Sequence, residues 1–168
     1  MHQDLEITFL EALEQNQEKL LRVCSVYAAD PEEKKDLFQE VLINIWQAMP
    51  SFEGKSSIST WMFRITLNVC LRVQYNQERR RHRFQKIDGF VIENTPNDEA
   101  NLEEQQRLKK LRKCIQKLND AHRAVITLYL EELPYKEISE ITGLSENHVA
   151  VMIKRVKEKL LNCITEKK

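Results

Sequence analysis

The chain has 168 residues, 42% of them hydrophobic and 31% charged, with only three glycines and four prolines, a balance that favours one helical domain or two small ones. No apolar run approaches the length of a membrane span, and the opening MHQDLEITFLEALEQ is acidic where a secretion signal would be basic, so a cytoplasmic protein is expected. The formal net charge is zero, which taken alone argues against a nucleic-acid partner, since such domains are usually basic.

Leu13, Leu20, Cys24 and Tyr27 give a first helix one apolar face. This part of the chain is acidic: residues 1–40 hold ten Asp or Glu against Lys19, Arg22, Lys34 and Lys35. Asp30-Pro31-Glu32-Glu33 is a helix start, with Asp as N-cap, Pro at the first helical position and Glu33 placed to reach back. The helix it opens, roughly Pro31 to Met49, aligns Leu37, Val41, Ile45 and Ala48, and Phe38, Leu42, Trp46 and Met49 widen that apolar surface. Pro50 stops it. After the loop PSFEGKSSIS, a third helix is predicted from about Thr60, aromatic at its start and basic at its end. Residues 64–86 hold seven Lys or Arg, Arg79, Arg80, Arg81 and Arg83 among them, against Glu78 alone. From 87 to 106 there are six acids and no base, with Gly89 and Pro96, which reads as an acidic linker.

Leu108, Leu111, Ile115 and Leu118 begin a second apolar stripe, and Asn119 or Asp120 caps a helix carrying Val125 and Leu128. The segment Tyr135–Leu160 reads as a helix-turn-helix. Its first helix holds Ile138 and Ile141, Gly143 supplies the turn, Ser145 is an N-cap, and Val149, Ile153, Val156 and Leu160 form one stripe. The opposite face offers Asn147, Val151, Lys154 and Arg155, with His148 and Ala150 at its margins, residue types that have base or phosphate partners in a major groove. A solvated helical hairpin would carry a similar pattern. The expected organisation is all-α: a first helical domain over 1–86, a linker over 87–106 and a second domain over 107–168. The zero net charge is thus a sum over blocks of opposite sign, suited to different partners. Cys24, Cys70, Cys114 and Cys163 show no paired spacing, nor do His2, His82, His122 and His148, so reduced structural thiols are expected rather than disulfides. No metal and no cofactor is implied, and no nucleophile, base or ligand cluster recurs at catalytic spacing, so an enzyme is not expected.

The stretch Asp36–Leu71 resembles conserved region 2 of bacterial RNA polymerase sigma factors, through Asp36-Leu37, Gln39-Glu40, Ser51-Phe52, Gly54, Thr60-Trp61, Arg64-Ile65 and Asn68. The segment Leu118–Leu130 and the helix-turn-helix resemble region 4, and the order and spacing match the compact extracytoplasmic-function (ECF) group, which keeps only regions 2 and 4. This resemblance implies that Asp36, Gln39 and Glu40 dock on a basic coiled-coil of core RNA polymerase. It implies that Phe52, Lys55, Ser56 and Ser57 capture a base flipped from the −10 element, near Trp61, Arg64 and Asn68. Arg72, Arg79, Arg80 and Arg81 would hold duplex phosphates upstream. Asn147, His148, Ala150, Val151, Lys154 and Arg155 would read the −35 element. The partners implied are core polymerase, promoter DNA and an anti-sigma factor, with no small-molecule substrate. Where many relatives carry a basic residue on the recognition helix, this chain has Ala150 and Met152, so fewer ionic contacts are expected there. The alternatives are a helix-turn-helix regulator without sigma activity, for which no sensory domain pattern is seen, and a helical adaptor, which leaves the arginine run unexplained.

Overall fold

The computed structural model describes residues 2–83 and 102–166. Their order is α1 (His2–Tyr27), α2 (Pro31–Ala48), a 3-10 turn (Met49–Ser51), α3 (Ile58–Arg83), α4 (Leu102–Gln116), α5 (Asp120–Leu130), α6 (Tyr135–Thr142) and α7 (Glu146–Thr165). The described residues contain no strand. Of the expected linker over 87–106, residues 87–101 lie outside the described residues, and α4 already begins at Leu102.

Capping residues start the helices where the sequence indicates. The Asp30 side chain accepts from the Glu33 N–H, and Glu33 reaches back to the Ala29 N–H at 2.7 Å. Asn119 accepts from the His122 N–H and Ser145 from the His148 N–H. Gly143 closes α6 at φ +79°, left-handed backbone that a Cβ would strain. The third helix starts earlier than Thr60, at Ile58, because the Ser57 hydroxyl takes the Thr60 N–H at 3.1 Å.

Helices α1 to α3 form one bundle. Leu20, Val23 and Cys24 of α1 meet Val41 and Ile45 of α2 and Met62 and Phe63 of α3, all fully buried. Asn16, buried in α1, is satisfied by the Ala12 carbonyl and by Ser59 Oγ. The second bundle packs Ile115, Val125, Leu128, Ile138, Val149, Ile153 and Val156. The expected α4 stripe is interrupted: Leu108 is exposed, since that part of the helix extends beyond its neighbours' cover. Trp46 is also exposed, at 42%, touching Phe9 only edge-on rather than entering the core.

The two bundles touch. Arg22 of α1 makes a bidentate pair with the buried Glu131 carboxylate at the end of α5, at 2.8–3.0 Å. The Gln116 amide donates to the Val26 carbonyl at 3.1 Å, and α3 packs along α6.

The cysteines depart from expectation. Cys24 and Cys70 are free and buried, but Cys114 of α4 and Cys163 of α7 are joined, with Cα atoms 6.0 Å apart. Their partnership comes from the packing of α4 against α7, which a linear spacing of 49 residues does not reveal.

Candidate nucleic-acid and protein interfaces

Three surfaces gather the residues singled out above. The first is the outer face of α2. Leu37, Val41 and Ile45 turn inward, so helical periodicity leaves Asp36, Gln39 and Glu40 exposed on the other side. Only Glu40 has a charged partner there, the exposed Arg72 at 3.6 Å, a separation that contributes little in water. One turn further along, Ile43 and Trp46 are exposed beside Gln39 and Glu40. These two apolar residues extend the face, and sequence reading assigned Trp46 to the core. The signal was available in their i+4 and i+7 spacing from Gln39, which puts them on the same side.

The second surface is the loop after α2 and the start of α3. Phe52 is half-buried and its ring lies 5.0 Å from that of Trp61, also half-buried, so the two form one aromatic corner. Lys55 is exposed and pairs with Glu53 at 2.9 Å. The Ser56 hydroxyl donates to the Ser57 carbonyl in a long contact of 3.3 Å, and the Ser57 hydroxyl accepts from the Thr60 N–H and donates to Thr60 Oγ1. Ser57 therefore shapes the loop by capping α3.

Along α3, Asn68 is exposed but Arg64 is not free: its Nη2 donates to the Glu140 carbonyl of α6 at 2.6 Å. Arg64 and Asn68 share a face, as expected from their spacing, yet α6 lies over the Arg64 end. Arg72, Arg79 and Arg80 continue the helix as exposed cations, Arg79 resting 5.9 Å over the Tyr75 ring. Arg81 lies on α3, with its side chain outside the described residues.

The third surface is the outer face of α7. Asn147, His148, Val151, Lys154 and Arg155 are exposed and Ala150 is half-buried at the margin. Val151 is 48% exposed, an apolar side chain in water at the centre of a polar face. Met152 is buried with the core stripe, so its side chain does not belong to this face. Met152 at this position is a matter of core packing rather than of base contact.

Among the described residues no group of His, Cys, Asp and Glu is disposed to hold a metal ion, and no helix is long and apolar enough to cross a membrane. The arrangement is one of three surfaces open to solvent in whole or in part.

All three faces fall within stretches that match known families. A family model for sigma-70 region 2 matches residues 12–83, and one for sigma-70 region 4 matches residues 108–160. The chain is 30% identical over 141 residues to RNA polymerase sigma factor YlaC of Bacillus subtilis, covering 80% of this chain and 79% of that one. It is 30% identical over 137 residues to the ECF RNA polymerase sigma-E factor of Escherichia coli, covering 76% and 71%. Two solved structures share the fold. One is CnrH in complex with the cytosolic domain of CnrY, with a TM-score of 0.67 at 20% identity over 94% of this chain and 87% of that one. The other is the sigma factor RpoE of Bartonella quintana in complex with the anti-sigma factor NepR, with a TM-score of 0.67 at 21% identity over 98% and 99%.

Proposed function

The chain belongs to the sigma-70 family, in the ECF group, and from that premise we infer how its surfaces divide the work of transcription initiation. A sigma factor binds core RNA polymerase, recognises the −10 and −35 promoter elements and promotes strand opening. The observation that carries the reading is the presence of both conserved regions, in order, over 12–83 and 108–160.

On this reading the face of Asp36, Gln39 and Glu40 docks on core polymerase, with Ile43 and Trp46 as its apolar margin. An exposed acidic and amide-bearing helix suits a basic partner, and the apolar margin supplies area that charge alone does not. The Phe52–Trp61 corner receives an unstacked base, for which an aromatic face is a sequence-tolerant platform. Lys55 and Ser56 stand where they meet its phosphate and edge, and Asn68 reads the same strand. Arg64 joins them once it leaves the Glu140 carbonyl. Arg72, Arg79, Arg80 and Arg81 hold duplex phosphates. Asn147, Val151 and Lys154 read the −35 element, flanked by His148, Ala150 and Arg155. The units are residues 1–86 and 107–168, the second extended back to Leu102 where α4 begins, joined by the acidic segment between them. Such a protein works in the cytoplasm, is a transcription factor rather than an enzyme, and takes an anti-sigma partner of the kind seen with the Bartonella relative.

The test is core binding without DNA. The wild-type chain should co-purify with core polymerase, and the combined change of Asp36, Gln39 and Glu40 to Ala should weaken that association at least tenfold while helical content stays the same. Unchanged affinity of the triple variant would falsify the assignment of this face.

A further inference from the structure

Cys114 and Cys163 stand in the second bundle, outside the residues assigned to the three surfaces above. Cys114 is buried on the last turns of α4, and Cys163 is only partly buried on the last turn of α7. Their Cα separation of 6.0 Å lies within the range that joined cysteines adopt, and the structure joins them. Cys114 lies within the region 4 match and Cys163 three residues beyond its end at residue 160. The loop the pair closes holds α5, α6 and nearly all of α7, including the whole face from Asn147 to Arg155. The other two cysteines contrast with it. Cys24 and Cys70 are fully buried between α1 and α3, and the hydrogen bond that the Cys70 thiol gives to Cys24, with burial, pushes that thiol well above its ordinary range.

We propose that Cys114 and Cys163 are a reversible dithiol–disulfide site, oxidised by hydroperoxides, that locks the helix-turn-helix unit. Cys163, the more accessible sulfur, reacts first as thiolate. Its sulfur attacks the peroxide oxygen, the O–O bond breaks, and the sulfenic acid forms with release of water, or of an alcohol from an organic hydroperoxide. The Cys114 sulfur then attacks that of Cys163; the S–O bond breaks, and the hydroxyl leaves as water with the Cys114 proton. Two electrons pass from the thiols to one peroxide, and a dithiol reductant reverses the step. The consequence for promoter reading rests on the −35 assignment above; the chemistry does not.

The test uses the full chain, reduced and then treated with hydrogen peroxide, alkylated and mapped by mass spectrometry without reduction. The expected product is a monomer lighter by two hydrogens, with one Cys114–Cys163 cross-linked peptide and with Cys24 and Cys70 still alkylated on denaturation. Oxidation should slow proteolysis within residues 115–162 by about tenfold, because the cross-link restricts the opened chain. Dithiothreitol should restore the faster rate, and Cys163→Ser and Cys114→Ala should each abolish the response. Four thiols left unmodified, cross-links through Cys24 or Cys70, or disulfide-linked dimers would overturn the site. A cross-link that leaves proteolysis unchanged would overturn the lock. These readouts contain no DNA, so their failure is distinct from failure of the −35 reading, which promoter selection with holoenzyme addresses.

Discussion

Arg123 is buried where α4 meets α5, and carbonyls receive most of its hydrogen bonds. Its Nη2 donates to the Gln116 and Leu118 carbonyls and its Nε to Ile115, the end of a helix whose last C=O groups have no partner of their own. The guanidinium also lies 5.8 Å over the Tyr27 ring of the other bundle. Arg123→Met should therefore cost about 3 kcal/mol, because it leaves several buried carbonyls unmet. Asp120→Asn should cost less than about 1 kcal/mol, since the Asp120 carboxylate is exposed and 3.5 Å away. Urea denaturation checks the order of the two, and a larger shift for Asp120→Asn would contradict it. On α7 the side chain to test is Val151. Val151→Ser should relax preference at one −35 position by about 1 kcal/mol, while Lys154→Ala should lower affinity for all sequences and flatten the salt dependence. A randomised −35 library selected with holoenzyme decides: an element of G·C pairs alone, indifferent to Val151→Ser, would show that another face of α7 reads the DNA.

At the scale of elements, the loop between α2 and α3 is held by its own chemistry. Ser57 caps α3, and Phe52 rests on Trp61, so the aromatic corner is formed before any base arrives. Phe52→Ala should thus reduce open-complex formation more than closed-complex binding, since an unstacked base is engaged only after the strands part. Permanganate reactivity of promoter thymines measures this, and equal opening by variant and wild type would remove the loop from the melting step. Most of this framework was readable in the sequence. Asp30, Asn119, Ser145 and Gly143 set helix ends by local hydrogen bonds and backbone preference, and these depend on neighbours a few residues away. The exposure of the candidate residues on α2 and α7 follows from the same periodicity, as the sides opposite the apolar stripes, whereas the choice of Asp36, Gln39 and Glu40 came from the family resemblance. The exposure of Trp46 and Leu108 does not follow from it, because a stripe shows which side a residue takes and not whether another helix reaches that far. The partners of Arg22, Arg64, Arg123 and Cys163 are set by helix packing, which no local pattern encodes.

For the whole molecule, the spacing of the promoter elements conflicts with the arrangement of the bundles. The −10 and −35 elements are about 25 base pairs apart, roughly 85 Å of duplex at ~3.4 Å per pair. Here Arg64 of the −10 face donates to the Glu140 carbonyl of α6, within the helix-turn-helix, at 2.6 Å. If those faces read the −10 and −35 elements as proposed above, one chain cannot engage both in this form, and the bundles then separate on the way to the promoter. The Arg22–Glu131 pair opposes that separation, and its two halves differ in kind. Glu131 is buried and Arg22 is half exposed, its side chain at 55%. Removing Arg22 would strand a buried carboxylate, whereas Glu131→Ala returns a solvated cation to water and tests the latch more cleanly. Because Arg22 is screened by solvent, the pair holds the closed form by about 1 kcal/mol, a factor of roughly five in the closed-to-open ratio. Glu131→Ala should lengthen the distance between fluorophores placed on α2 and on α7 of the free chain. It should also strengthen core polymerase binding by up to about fivefold, since affinity scales with the fraction already competent to bind. Raised salt should narrow the difference between variant and wild type. If distances and affinity match those of wild type at low salt, the ion pair is not what holds the bundles together, and the packing of α3 on α6 holds them without it.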